Sequence, residues 1–113
     1  MTRYLISFDD GAMTFPEEET PAVSDAAHAV LKEAKDTGVW VTGGGLVGHE
    51  EVSVVATDGT VTDGPIPAKT AYLGGFSIVD VPSREQALKW AAKFAVACRC
   101  GQEVREIMHD PEV

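Results

Sequence analysis

The sequence predicts a single α+β domain in which two helices cover one face of an antiparallel sheet. Three observations lead to this prediction. Strand-like runs alternate with two amphipathic helical segments. Their order is strand, helix, strand, hairpin, strand, helix, strand, which is the split βαβ order of the ferredoxin-like fold. No repeat or low-complexity linker divides the 113 residues, so we assign residues 1–113 to one domain.

The first two strands flank the first helix. Tyr4-Leu5-Ile6-Ser7-Phe8 is rich in strand-forming residues, and Asp9-Asp10-Gly11 then favours a turn at the start of a long loop. After the helix, Val39-Trp40-Val41 restarts strand character, and the glycines that follow are expected to bend the end of this strand.

Two segments have the apolar spacing of helices. The first is Pro21–Thr37, with Thr20 as its expected cap. The second begins after Ser83, whose spacing to Gln86 is that of a capping box, and is expected to stop near Ala97. Both helices should therefore dock on the sheet through one apolar stripe.

The remaining strands come from the second half of the chain. Asp58-Gly59 lies between Val52–Thr57 and Thr60–Thr62, which is the strongest hairpin signal in the sequence. Gly75–Val81 is a clear strand, and Gln102–Met108 supplies a plausible last one.

Composition narrows the classes of partner. The chain carries 9 Lys and Arg against 18 Asp and Glu, a formal net charge of −9, and has no cluster of basic residues. Such a surface repels nucleic acid and anionic membranes. Polar Ser7 and the pair Asp9-Asp10 interrupt the first apolar run before it reaches the length of a signal-peptide core. We therefore expect a cytoplasmic protein that binds neither nucleic acid nor membrane.

Both faces of the predicted sheet are apolar. Ile6 projects to one face and Leu5 to the other, and Ile78 opposes Val79 in the same way. Two helices can cover only one face, and burial of the other is favourable at about 25 cal/mol per Å² of apolar area. We therefore predict a homodimer packed sheet to sheet.

Several segments together resemble one known family. They are Val61-Thr62-Asp63-Gly64-Pro65, Leu73-Gly74-Gly75-Phe76 and Ala87-Leu88-Lys89-Trp90-Ala91-Ala92, followed by the closing Glu103-Val104-Arg105-Glu106-Ile107. Their order and spacing resemble those of the YCII-related family, in particular its DGPF branch. The resemblance extends over most of the chain.

The resemblance implies a dimeric α/β barrel of ferredoxin-like subunits, with a cleft between sheet and helices near Asp63-Gly64-Pro65. In related branches it implies acid–base chemistry on small, often cyclic, organic molecules, although most members have no assigned reaction. Some members are encoded beside extracytoplasmic-function sigma factors, which indicates a regulatory or stress setting.

The sequence departs from the family pattern directly after this segment. Ile66 stands where Phe is usual, Ala68 and Ala71 replace acidic residues, and Lys69-Thr70 replaces Thr-Lys. If the replaced side chains line the family's site, this chain has lost part of it.

Asp63 is the first candidate catalytic residue, and Gly64 beside it is a candidate substrate contact. A carboxylate held at the mouth of a cleft can act as a general base or as a polar anchor. The alternative is structural, because an Asp at a turn commonly accepts backbone N–H bonds. The sequence leaves both interpretations open.

Glu103 and Arg105 are candidates for substrate binding. They lie two apart on a strand and therefore share a face, where the guanidinium can hold a carboxylate ligand through two hydrogen bonds. Tyr4 can join this arrangement. The alternative is a structural ion-pair network across the dimer, since buried charges are usually paired.

His49 is the second catalytic candidate, because the loop that carries it can reach a cleft. Simple loop exposure is the alternative. His28 falls among alanines within the first helix, and His109 lies near the end of the chain. These positions favour packing or surface roles.

Two further patterns do not indicate a cofactor or a metal ion. Gly43, Gly45 and Gly48 match G-x-G-x-x-G, but a strand follows them instead of the helix that a dinucleotide phosphate requires. Cys98 and Cys100 supply only two thiols, whereas a zinc site needs at least three protein ligands. We expect no cofactor, no metal ion and reduced cysteines.

Two functions from different classes remain. The first is a cofactor-independent lyase or isomerase that acts on a small organic molecule through Asp63 and nearby polar groups. The second is a ligand-binding or regulatory accessory dimer without catalytic activity, which Ala68 and Ala71 favour.

Overall fold

A computed structural model describes residues 1–113 and contains six strands and two long helices. The strands are β1 (Thr2–Asp9), β2 (Trp40–Gly45), β3 (Ser53–Val55), β4 (Val61–Asp63), β5 (Leu73–Val81) and β6 (Glu103–Glu106). The helices are α1 (Thr20–Thr37) and α2 (Arg84–Cys98), and short 3-10 helices occupy Glu17–Glu19 and His49–Glu51. The predicted order of elements is confirmed.

Four strands form one antiparallel sheet in the order β2, β5, β1, β6. The two strands that precede the helices, β1 and β5, are the central pair, and the two that follow the helices are the edges. This is the strand order of the split βαβ unit, so the predicted ferredoxin-like α+β fold is confirmed.

The hydrophobic core lies between the helices and one face of this sheet. Ile6 and Val79 have no exposed surface, and Tyr4 lies beside them. Trp90 of α2 packs onto this cluster. Because alternate residues of a strand point to the same face, the helix-covered face is the one that carries Tyr4, Ile6 and Val79.

The helix ends show how local sequence sets their limits. Ser83 Oγ accepts a hydrogen bond from the backbone N–H of Gln86 at 3.3 Å, as predicted for the start of α2. The start of α1 differs from the prediction, because Thr20 is already helical and Glu19 is the cap, without a side-chain capping bond. The preceding 3-10 helix runs directly into α1 and so replaces a cap. Gly38, with φ of 83°, ends α1.

The glycines of β2 extend the strand rather than end it. A bulge lies between Trp40 and Thr42, after which pairing with β5 continues to Gly45. A Cβ at Gly43 would lie 2.4 Å from the carbonyl oxygen of Phe76 and 2.7 Å from the Trp40 ring. The lack of a side chain at Gly43 thus lets the indole cover the sheet.

The predicted hairpin forms a separate two-stranded sheet of β3 and β4. Asp58 Oδ1 accepts a hydrogen bond from the N–H of Thr60 at 2.9 Å, and Gly59 has φ of 89°. The Asp-Gly signal therefore predicts the turn correctly. It does not predict whether the hairpin joins the main sheet or, as here, forms a sheet of its own.

The second face of the main sheet has no helix over it. It carries Leu5, Phe76 and Ile78, each partly exposed. This arrangement matches the two-faced sheet expected from the sequence. No helix in the chain combines the length and the apolar character that crossing a bilayer requires.

Candidate functional site

Three segments of the chain meet at one end of the main sheet. Asp10 directly follows β1, Tyr72 directly precedes β5, and the loop after β2 carries His49. The backbone N–H of Asp10 donates to the carbonyl oxygen of Tyr72 at 2.7 Å, and that of Leu46 donates to Gly74 at 2.9 Å. Antiparallel pairing therefore brings these three segments together.

The central feature of this end is a hydrogen-bonded pair of Asp10 and His49. Oδ2 of Asp10 lies 2.9 Å from His49 Nδ1. The same oxygen accepts a hydrogen bond from the backbone N–H of His49 at 2.7 Å. With Asp10 ionised, Nδ1 carries the proton and donates it, which leaves Nε2 as the unprotonated nitrogen of the neutral ring. The two contacts fix both the tautomer and the orientation of the imidazole.

The electrostatics of the pair agree with this geometry. The hydrogen bond from the His49 side chain, and next the bond from its backbone N–H, hold the pKa of Asp10 below its ordinary value of 3.8. Partial burial opposes this shift but is the smaller effect. The carboxylate is therefore charged at neutral pH and available to stabilise an imidazolium.

Tyr72 links the pair to the loop between β4 and β5. Its ring stacks on the His49 imidazole, with centroids 5.5 Å apart and an angle of 21° between the planes. Its hydroxyl accepts the backbone N–H of Ile66 at 2.6 Å. The ammonium group of Lys69 lies 4.6 Å from the centroid of the same ring. Tyr72 thus positions the imidazole and the loop that faces it.

These groups line a cavity of about 270 Å³. Its wall is formed by Asp10, His49, Pro65, Ile66, Pro67, Lys69, Thr70 and Tyr72. This volume lies just below the usual range for small-molecule sites, so the cavity suits a compact ligand. The segment after Asp63-Gly64 contributes most of the wall.

A second, larger groove of about 710 Å³ lies between α1 and α2. Alanine and valine side chains form most of its wall. Its charged residues are engaged within the chain, since Lys93 pairs with Glu33 and Arg99 pairs with Glu19. We therefore take the smaller polar cavity as the candidate functional site, because its wall carries an imidazole and that of the groove does not.

Asp63 lies outside the cavity wall. It is exposed at the end of β4, where its Oδ1 accepts the hydroxyl proton of Ser53 at 2.7 Å. The next residue, Gly64, donates its N–H to Val52 at 2.8 Å and has φ of 89°. These contacts give both residues a role in closing the hairpin.

The other predicted binding residues are spread over two faces of the sheet. In the register of β6 against β1, Glu103 lies opposite Ser7 and Arg105 lies opposite Leu5. The exposed side chains of Glu103 and Arg105 therefore lie on the face without helices. Tyr4 is buried under the helices, where burial and then Glu106 raise the pKa of its hydroxyl. The structure thus places Tyr4 and Arg105 on opposite faces of the sheet.

Sequence reasoning missed Asp10, Tyr72 and Lys69. The sequence predicts a turn at Asp10 but not its partner, which is 39 positions away. The available signal was the coincidence of an Asp after one strand with a His after another, at ends that antiparallel pairing brings together.

The cysteines do not join this site. Cys98 and Cys100 are free, and burial raises the pKa of both thiols. No group of three or more His, Cys, Asp or Glu side chains is placed to hold a metal ion.

Comparison with known proteins identifies the family. No curated protein matches the chain. The sequence pattern of the YCII-related domain matches residues 2–109, which includes every element of the fold and every residue of the cavity. The chain therefore belongs to the YCII-related family.

Proposed function

We propose that the protein is a cofactor-independent lyase or isomerase that moves a proton on a small organic molecule. His49 is the general base, and Asp10 is the positioning residue that orients it. The observation that carries the proposal is the hydrogen-bonded Asp10–His49 pair on the wall of a compact cavity. A rigidly oriented imidazole beside a ligand-sized space is what general base catalysis requires.

The proposed chemistry begins with proton abstraction. Nε2 takes a proton from a carbon next to a carbonyl group. The electron pair of that C–H bond forms a C=C bond, and the π pair of the carbonyl moves to its oxygen, which gives an enolate. Asp10 stabilises the resulting imidazolium through Nδ1–H. In an isomerase, the substrate carries a C=C bond conjugated with the enolate, and the imidazolium returns the proton to the far carbon of that bond, so that the C=C bond shifts. In a lyase, the enolate expels a group from the neighbouring carbon, and the imidazolium protonates it.

Deuterium exchange tests this proposal without knowledge of the natural substrate. Pyruvate, as a small oxo acid, and acetone, as a neutral ketone, are incubated with the protein in D₂O and followed by proton NMR. We expect at least one of them to exchange about 10²-fold faster with the wild type than with His49→Gln. Exchange at the rate of buffer alone in both proteins would contradict the proposal.

A second candidate function is ligand binding without catalysis. Ala68 and Ala71 favour it, because both are exposed and supply no polar group to the segment that borders the cavity. This function requires saturable ligand binding in the cavity without exchange, and binding that survives His49→Gln.

We also propose that two copies of the chain pack through the helix-free face of the sheet. The support is the row of partly exposed Leu5, Phe76 and Ile78 on that face. Light scattering should give the mass of a dimer, and Ile78→Lys should give a monomer with the same far-UV circular dichroism. A wild-type monomer at micromolar concentration would contradict this proposal.

A further inference from the structure

The cavity contains one cation that no group of the protein neutralises. Lys69 lines the wall, and its ammonium lies 4.6 Å from the Tyr72 ring centroid without a carboxylate in ion-pair distance. Asp10, the acidic residue of the same wall, is already bonded to His49. A cation–π contact at an exposed site is worth only about 0.5–1 kcal/mol, so the ammonium keeps most of its capacity to bind an anion.

The negative charge of the whole chain gives this cation a meaning for the ligand, because it indicates an anionic one. At a formal net charge of −9, the protein repels anions from most of its surface. A local ammonium at the cavity would offset that repulsion for an anionic ligand, whereas it would be superfluous for a neutral ligand and unfavourable for a cationic one.

The position of Lys69 relative to the proposed base also limits the ligand. The centroid of the imidazole lies 5.5 Å from the centroid of the Tyr72 ring, and the ammonium of Lys69 lies 4.6 Å from the same point. The two groups are therefore no more than about 10 Å apart. A cavity of about 270 Å³ holds roughly nine non-hydrogen atoms if each takes about the 30 Å³ of a liquid water molecule. One small molecule can therefore contact both groups.

We propose that Lys69 binds the carboxylate of a small monocarboxylic acid in this cavity, and that this acid is the substrate class of the site. The statement that it is a substrate rests on the function proposed above, while the statement that it binds does not. Lys69 holds the carboxylate end, and the remainder of the molecule lies against Pro65, Ile66 and Pro67, toward His49. The same ammonium can stabilise negative charge that develops on proton abstraction.

The test compares sodium benzoate with its neutral analogue benzamide, which have nearly the same shape and fit the cavity with roughly nine non-hydrogen atoms each. Binding is followed by amide chemical shifts of the residues that line the cavity, over the millimolar range. We expect saturable benzoate binding that is about five- to tenfold tighter than benzamide binding and that weakens with added salt.

Two variants that each remove one lysine charge test whether Lys69 itself binds the carboxylate. Lys69→Met should lower benzoate affinity to the level of benzamide, and Lys69→Arg should retain it within about twofold. Lys89→Met is the matched control, because it removes the same charge from the exposed surface of α2 and should leave binding unchanged. Equal binding of benzoate and benzamide, binding of neither, or unchanged benzoate affinity in Lys69→Met would overturn the proposal.

The benzoate experiment can fail or succeed independently of the deuterium-exchange experiment that tests catalysis. Benzoate binding that depends on Lys69, with no deuterium exchange in any substrate, would support the ligand class and contradict catalysis. Exchange of acetone by the wild type at the same rate as by Lys69→Met, with no benzoate binding, would support catalysis and overturn the ligand class.

Discussion

Asp10-Gly11 and Asp63-Gly64 are the same two-residue sequence at the ends of two strands, yet the protein uses them differently. In both pairs the glycine has a left-handed backbone, with φ of 87° and 89°. Asp10 accepts two hydrogen bonds from His49, which comes from a distant loop. Asp63 accepts one from Ser53, its direct partner across the hairpin.

The difference shows what an Asp-Gly pair specifies and what it does not. Locally, the pair favours a turn, and both sites form one. The partner of the carboxylate depends on what surrounds the end of its strand, because β1 lies in the main sheet with only β5 between it and β2, whereas β4 pairs only with β3. Asp10 therefore meets the start of β5 and the loop that follows β2, and Asp63 meets only its own hairpin.

The largest expected effect is on proton exchange, with whichever small carbonyl compound the wild type exchanges. Asp10→Asn should slow it by up to about 10²-fold, close to the loss expected for His49→Gln, because an amide can donate to Nδ1 and so leave the proton on Nε2, where a base is needed. Asp63→Asn is the matched control and should keep the rate within about twofold. Equal losses in the two variants would remove the distinction between the two Asp-Gly pairs.

The next effect concerns the close backbone contact between Gly74 and Asp10. A Cβ at Gly74 would lie 2.7 Å from the backbone nitrogen of Asp10 and 2.8 Å from its Cα, whereas a Cβ at Gly44 would meet nothing within 4 Å. We expect Gly74→Ala to lower the free energy of unfolding by about 1–3 kcal/mol and to reduce exchange activity.

Gly44→Ala serves as the control for this backbone contact, since it adds the same methyl group to the neighbouring strand β2. Its unfolding midpoint in urea should stay near that of the wild type. If both variants unfold at the same urea concentration, the contact between Gly74 and Asp10 does not limit stability.

A smaller effect should follow from Tyr72→Phe. This change removes the hydroxyl that accepts the Ile66 N–H at 2.6 Å and keeps the ring that stacks on His49. The loop after Asp63-Gly64 should open more easily by about 1 kcal/mol, which native-state hydrogen exchange at the Ile66 amide measures. Unchanged protection of that amide would show that the loop is held by other contacts.

The smallest effect is a pH dependence at Asp10. Because the folded state lowers the pKa of this carboxyl below 3.8, the pair contributes stability above that pH and loses it as the pH falls through the folded value. Carbon NMR of the Asp10 carboxyl should give a midpoint below 3.8 in the wild type and a higher one in His49→Ala. A wild-type midpoint at or above 3.8 would contradict the hydrogen-bonded pair.

The sequence predicted the elements and missed most of the candidate site. Ser83 and the Asp58-Gly59 turn behave as expected, because caps and turns depend on residues within a few positions of one another. The sequence makes His49 a catalytic candidate, and the structure places it on the wall of the cavity. Asp10 is not predictable in the same way, because its contact with His49 spans 39 positions and no local pattern reports it.

The sequence by itself determined the order of strands and helices and the motifs of the YCII-related family, because apolar periodicity, caps and turn residues act locally. Only the tertiary structure decided which Asp-Gly pair faces the histidine and that Lys69 joins the same cavity. These choices depend on the register of β1 and β2 against β5, which is set by packing of the whole sheet against α1 and α2.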